Sequence, residues 1–230
     1  MTYLYLLINI ASFSVPFIYS FEKKMLFIQY WKAVFLAILL VAVPFLIWDV
    51  IFTEYGVWGF NPTYYLGITF FGLPAEEILF FICIPFASIF THYAFLHFFK
   101  NLKLSNKVTQ IITLFLLITS IVVLIFAFPK AYTSVNFSLF TCLMLYAFLK
   151  KDAILNRFYI TFLVVLIPFF IVNGLLTGSF IPNEIVWYNN AENLGVRIGT
   201  VPIEDAFYAF SMLYSSLILI EKFKLKFNKS

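Results

Sequence analysis

Charged residues, histidine and cysteine are all scarce in this chain of 230 residues. Charged residues make up 11% of the sequence and hydrophobic residues 63%, with a mean hydropathy of +0.98, which is far outside the soluble globular range. Two histidines and two cysteines are too few for a histidine-rich di-iron site, and we expect no metal. Neither a Gly-x-Gly-x-x-Gly motif nor a P-loop occurs, so no nucleotide-binding domain is expected.

The apolar residues form seven long blocks. Each block is close to the roughly 20 residues that cross a bilayer as a helix, and continuous runs favour helices over the alternating strands of a barrel. We therefore predict an all-α integral membrane protein with seven transmembrane helices, at about 2–20, 32–48, 75–98, 108–128, 131–149, 158–176 and 202–220.

The basic residues predict the orientation of these spans. With the N-terminus outside and the C-terminus inside, only Lys130 and Arg197 of the 15 basic residues fall on the outer side. This asymmetry fits the positive-inside rule and predicts a multi-pass protein of the cytoplasmic membrane. The net charge of +4 then reflects topology and gives no reason to expect a nucleic-acid partner.

The sequence contains an internal repeat. Pro74 aligns with Pro202, an offset of 128 residues, and the same offset maps loop 49–73 onto 177–201 without a gap. An even number of spans separates the two copies, so both halves cross the membrane in the same direction. We predict two parallel three-helix repeats joined by a linker helix (3+1+3): repeat one at 1–100, the linker at 101–128 and repeat two at 129–226.

Matching acidic pairs begin the third and seventh spans. The sequences are Pro74-Ala75-Glu76-Glu77 and Pro202-Ile203-Glu204-Asp205. Proline and acids also suit an ordinary helix start, so a purely capping role stays open. Carboxyl groups are costly at membrane depth, however, and two copies at symmetric positions favour a functional role. Each pair is a candidate source of a general acid.

Aromatic residues follow each pair and fill the outer loops. They fit either an interfacial belt or the wall of a pocket for a hydrophobic substrate, and both interpretations stay open. Ring faces can stabilise a cation. Acids, rings and the lack of a redox group together favour proton-initiated cyclisation or isomerisation of a polyene.

These residues resemble the small integral-membrane lycopene cyclases. The likeness rests on Trp48-Asp49, Trp58-Gly59-Phe60-Asn61-Pro62, Gly72-Leu73-Pro74-Ala75-Glu76-Glu77 and Val201-Pro202-Ile203-Glu204-Asp205. In that family the halves are separate chains of a heterodimer, one fused chain, or the cyclase part of a fungal bifunctional enzyme; this chain resembles the fused form. The resemblance implies a lycopene beta-cyclase, an isomerase (intramolecular lyase) of carotenoid biosynthesis that converts ψ ends to β-ionone rings without net redox change.

The candidate site combines the acids with the nearby rings and amides. We expect the general acid to be among Glu76, Glu77, Glu204 and Asp205. We expect the substrate to contact Trp58, Phe60, Asn61, Phe80, Phe81, Asn189, Phe207 and Tyr208, with the two asparagines hydrogen-bonded to the acids. The expected partners are a lipophilic carotenoid and membrane lipids. No cofactor is expected, although a non-consumed reduced flavin or nicotinamide activator, a homodimer and an assembly with other carotenoid enzymes all stay open.

Three alternatives remain at this stage. A small-solute transporter can share the 3+1+3 repeat, a non-catalytic partner would use its acids only as caps, and a related cyclase would act on a C50 carotenoid or form ε or γ rings. The halves also differ, because Trp48-Asp49 aligns with Leu176-Thr177. We therefore expect them to contribute unequally.

Overall fold

The computed structural model describes residues 2–227, and helices dominate this part of the chain. Seven long α-helices occur there: α1 (Leu4–Tyr19), α2 (Trp31–Glu54), α3 (Ala75–Phe98), α4 (Asn106–Ala127), α5 (Ala131–Lys150), α6 (Leu155–Leu176) and α7 (Glu204–Phe227). Six short strands accompany them: β1 (Trp58–Phe60), β2 (Thr69–Phe70), β3 (Leu73–Pro74), β4 (Val186–Tyr188), β5 (Arg197–Ile198) and β6 (Val201–Pro202). The short 3-10 helices are Phe27–Tyr30 and Pro62–Tyr64.

Helices α2 to α7 are long and apolar enough to cross a membrane, so the chain is a multi-pass membrane protein. Six of the seven predicted spans are thereby confirmed. Helix α1 is apolar but has only 16 residues, about 24 Å of helix, which is shorter than the roughly 30 Å hydrocarbon core. Its role as a seventh span stays a prediction.

One predicted boundary is wrong in a way that matters for the site. We expected the first outer loop to begin at residue 49, but α2 continues to Glu54. Asp49 is therefore a helical residue and is 2% exposed. The helix accommodates it because the indole of Trp58, beyond the helix end, donates a hydrogen bond to its carboxyl.

The two outer loops pair with each other. Strand β1 of the first loop runs antiparallel to β4 of the second, with Trp58 opposite Tyr188 and Phe60 opposite Val186. Each loop also forms a small hairpin, β2–β3 in one and β5–β6 in the other. A Cβ on Gly59 would lie 2.6 Å from Cε2 of the Trp187 ring. The strand pair therefore needs glycine at position 59.

Equivalent hydrogen bonds recur in the two halves. Asn9 donates to the backbone carbonyl of Glu76 at 2.8 Å, and Asn136 donates to that of Glu204 at 2.7 Å. The helix contacts follow the same pattern: α1 packs on α3 as α5 packs on α7, while α2 packs on α7 as α6 packs on α3. The starts of α3 and α7 are thus held in matching environments near the paired strands.

Aromatic side chains dominate the core between α2, α3, α6 and α7. Phe86, Phe158 and Tyr214 are among its fully buried members. Helix α4 packs mainly on α5 and exposes a row of large apolar side chains, including Ile118 and Phe126. An exposed apolar face on a membrane-spanning helix is suited to contact with lipid.

Candidate active site

A partly enclosed cavity of about 810 Å³ lies between the helices and the β1–β4 pair. Its size falls within the range of small-molecule sites. The wall is mostly apolar and aromatic, and its residues come from both halves of the chain. Tyr5, Trp58 and Phe80 line it from the first half, and Tyr132 and Tyr208 from the second. This composition suits a hydrophobic ligand.

Three carboxyl groups also lie on this wall: Asp49 of α2, Glu77 of α3 and Asp205 of α7. They are only 2%, 8% and 5% exposed, respectively. Glu77 interacts electrostatically with both of the others. One apolar cavity therefore brings together three acids that are distant in the sequence.

Tyrosine hydroxyls bind two of these carboxyl groups. Tyr5 of α1 donates a hydrogen bond to Oε2 of Glu77. In the other half, Tyr132 of α5 donates to Oδ1 of Asp205 at 2.5 Å and Tyr188 of β4 donates to Oδ2 at 3.1 Å. Hydrogen bonds to a carboxylate are stronger than those between neutral groups. These phenols therefore orient the acids and stabilise their anionic forms.

The Tyr188 hydroxyl is a durable donor. Its pKa is raised well above the usual value, first because the phenol is buried and then because Asp205 lies beside it. The rings of Tyr188 and Tyr132 stack with centroids 5.8 Å apart. The guanidinium of Arg197 lies 5.8 Å from the centre of the Tyr188 ring. Tyr188 therefore stays a neutral hydrogen-bond donor to Asp205 across the ordinary pH range.

Asp49 has a different partner. Its Oδ1 accepts a hydrogen bond of 2.6 Å from the indole Nε1 of Trp58. The Trp58 ring is itself held edge-on against Tyr132, with centroids 5.1 Å apart, and against Phe52 at 4.9 Å. The Asp49 carboxyl is therefore fixed by a tryptophan from the strand pair.

The other predicted acids do not line this cavity. Glu76 and Glu204 are fully buried, and their Oε1 atoms accept hydrogen bonds from the backbone N–H groups of Leu66 at 2.8 Å and Leu194 at 2.6 Å. The hydroxyl of Thr133 also donates to Glu204, at 2.7 Å. These two acids fasten the outer loops to the starts of α3 and α7.

The predicted substrate-contacting aromatics separate in a similar way. Trp58, Phe60, Phe80, Phe81 and Tyr208 line the cavity. Phe207 instead faces α5, where its ring lies 4.6 Å from that of Phe137 and 5.0 Å from that of Phe140. The structure thus brings five of the six predicted rings to one surface.

The predicted contact between the acids and two asparagines does not occur. Oδ1 of Asn61 accepts the backbone N–H of Thr63, and Oδ1 of Asn189 accepts that of Ala191, both at 3.0 Å. Both asparagines therefore stabilise turns, which is common chemistry for this residue type. The amides that reach the acidic pairs are those of Asn9 and Asn136.

Sequence reasoning missed the three tyrosine donors and did not place Asp49 in the site. One signal was available for two of them: Tyr5 and Tyr132 occupy matching places in the two halves, at an offset of 127 rather than 128 residues. The one-residue difference hides the match from a strict alignment. Asp49 is part of the Trp48-Asp49 sequence, but the apolar pattern places it in a loop.

Comparison with known families gives one clear match. The family model described as Lycopene cyclase matches the chain twice, over residues 2–96 and again over residues 129–223. The two segments cover most of the chain and start 127 residues apart, in agreement with the internal repeat. No curated protein and no solved structure gives a significant match.

Proposed function

The chain belongs to the lycopene cyclase family, whose members are enzymes of carotenoid cyclisation, and from this premise we propose that it converts the ψ ends of lycopene to β-ionone rings. One observation carries the proposal. Each repeated acidic pair contributes one carboxyl group, Glu77 or Asp205, to the same aromatic cavity. A proton source beside aromatic rings is what cyclisation of an alkene through a cation requires.

The proposed reaction is an isomerisation. A carboxylic acid on the wall donates a proton to C2 of the terminal C1=C2 bond, which leaves a tertiary cation at C1. The electrons of the C5=C6 bond then form the C1–C6 bond and move the positive charge to C5. Loss of the C6 proton to a base restores the C5=C6 bond. One proton is added and one removed, so the step needs no oxidant or reductant.

Glu77 and Asp205 are the pair in which we place the general acid. After either one donates its proton, the tyrosine hydroxyls already bonded to it stabilise the carboxylate that remains. The rings of Trp58, Phe80 and Tyr208 on the same wall can stabilise the developing cation. Preorganised groups of this kind lower the barrier because they need no rearrangement during the reaction.

We further propose that the chain is the fused form of the family, with two parallel 3+1+3 repeats related by a twofold axis along the membrane normal. The matching hydrogen bonds of Asn9 and Asn136 support this arrangement, as does the double family match. The distribution of basic residues supports an outer N-terminus and an inner C-terminus in the cytoplasmic membrane.

Expression of the full chain in a lycopene-accumulating bacterium tests the proposed activity. Liquid chromatography of the pigments should show β-carotene or the monocyclic γ-carotene. Product formation by the purified chain in detergent would then distinguish an enzyme from a transporter or a non-catalytic partner. Unchanged lycopene, with the protein detected in the membrane, would contradict the proposal, and the same assay with C50 carotenoids would test the related substrate class.

A further inference from the structure

Asp49 is a buried acid of the cavity wall whose carboxyl group has an unused oxygen. Within residues 2–227, Oδ2 of Asp49 is buried and makes no hydrogen bond. Thr53, one turn further along α2, is close enough to interact with this carboxyl, but its hydroxyl makes no hydrogen bond either. A buried carboxylate oxygen without a partner is costly. Its retention beside a cavity therefore calls for an explanation.

The other two acids on the wall are more fully bonded. Tyr5 occupies one oxygen of Glu77, and tyrosines occupy both oxygens of Asp205. A lone pair that already accepts a hydrogen bond is a weaker proton acceptor than a free one. Glu76 and Glu204 also have a free buried oxygen, Oε2, but neither lines the cavity. Asp49 alone among the described acids combines a free oxygen with a place on its wall.

The second half has no counterpart to this group. Thr177 occupies the equivalent place, since 49 + 128 = 177, and also lines the cavity. Its hydroxyl donates to the carbonyl of Asn173 at 2.8 Å and lies 2.7 Å from the hydroxyl of Thr200. Val186 takes the place of Trp58. The pairing of an acid with an indole is thus a feature of one side of the cavity.

Building on the proposed function, we propose that Asp49 is the base that removes the C6 proton and completes the β ring. Oδ2 takes the proton, and the electrons of the C6–H bond become the C5=C6 double bond. The cationic intermediate supplies the positive partner that Oδ2 otherwise lacks. Trp58 holds Oδ1 and so fixes the direction of the free oxygen.

The same arrangement balances the protons over a turnover. The acid loses one proton to C2 and Asp49 gains one from C6. Glu77 interacts electrostatically with both Asp49 and Asp205, so it lies between the two ends of the proton transfer. Return of the proton from Asp49 to the acid restores the starting state without any further reactant.

An Asp49→Asn variant in D2O separates deprotonation from the initial protonation. Membranes containing the full chain would be incubated with lycopene, and the pigments analysed by chromatography and mass spectrometry. General bases contribute about 100-fold or more to rates, so β-ring formation should fall by at least that factor. The acid still works, so recovered lycopene should contain deuterium, or rings closed by loss of another proton (ε or γ) should appear.

Matched variants make the result decisive. Asp49→Glu, which keeps a carboxyl, should recover part of the β-ring formation, and Glu54→Gln, at an exposed position of the same helix, should behave as the unmodified chain. Normal β-ring formation by Asp49→Asn would overturn the assignment. Lost cyclisation without deuterium in the recovered lycopene would overturn it as well, because protonation would then also have failed. No cyclisation by the unmodified chain would instead reject the proposed function.

Discussion

The hydroxyl of Tyr132 donates a hydrogen bond of 2.5 Å to Oδ1 of Asp205, and Tyr5 makes the corresponding bond to Glu77 in the other half of the chain. In both halves the first helix of the repeat thus supplies the donor and the third helix supplies the acid. The halves differ in one respect: Tyr188 adds a second donor to Asp205, whereas its counterpart in the first half is Phe60.

We predict that Tyr132→Phe slows β-ring formation roughly 10- to 100-fold. The change removes one hydrogen bond to a carboxylate, which contributes about 1.5–3 kcal/mol, and keeps the ring. Initial rates at equal amounts of folded protein would measure the effect. Tyr146→Phe, at an exposed position of the same helix, is the control and should leave the rate unchanged. An unchanged rate in Tyr132→Phe would show that this bond does not support the reaction.

We predict that Glu77→Gln and Asp205→Asn each lower cyclisation at least about 100-fold, the usual contribution of a general acid or base. Both changes keep the side-chain shape and remove the transferable proton. Pigment analysis in a lycopene-accumulating bacterium, with the membrane content of each variant measured, would test this. Glu22→Gln, at an exposed position, is the matched control. Full activity in both variants would exclude these residues as acid and base.

Glu76 should affect stability more than chemistry. Glu76→Ala removes the acceptor for the Leu66 N–H and should cost about 1–3 kcal/mol in the free energy of unfolding, because a buried donor loses its partner. Glu76→Gln keeps an acceptor oxygen and should retain most of the cyclisation activity. Thermal unfolding in detergent and rates per folded molecule would measure the two effects. A large loss of rate in the stably folded Gln variant would return Glu76 to the list of candidate acids.

Gly59 should not tolerate a side chain. A Cβ there would overlap the Trp187 ring, so we expect Gly59→Ala to destabilise the strand pair by about 1–3 kcal/mol, the usual cost of overpacking. Gly174→Ala is a suitable control, because its Cβ would meet Ser179 Oγ at an ordinary distance of 3.4 Å. Equal melting temperatures for the two variants would contradict the predicted overlap.

Tyr188 should not ionise near pH 10, where an ordinary tyrosine does, because its pKa is raised by burial beside Asp205. The stability that this shift contributes is fully present below pH about 10 and is lost as the pH rises towards the folded-state pKa. Subtracting the phenolate absorbance titration of Tyr188→Phe from that of the unmodified chain would isolate this group. A difference signal centred near pH 10 in the folded protein would contradict the prediction.

Local sequence patterns are sufficient to predict the helices. The apolar pattern predicts the third span at 75–98, and α3 occupies Ala75–Phe98, because apolar runs of this length must satisfy their backbone hydrogen bonds internally. The offset of 128 residues likewise maps the segment of β1 onto that of β4. What a linear pattern does not contain is how far a helix continues when a distant side chain satisfies a polar residue. For that reason the pattern alone ends α2 before Asp49.

The sequence by itself determined that this is a helical membrane protein with two similar halves and paired acids at equivalent helix starts. Only the tertiary structure decided which acid of each pair lies on the cavity wall. Adjacent residues of a helix point about 100° apart, so Glu76 and Glu77 cannot share one surface, and the packing of neighbouring helices selects between them. The donors that hold the selected acids come from other helices and from the strand pair. Contacts between segments so far apart in the chain form only when the two halves fold against each other.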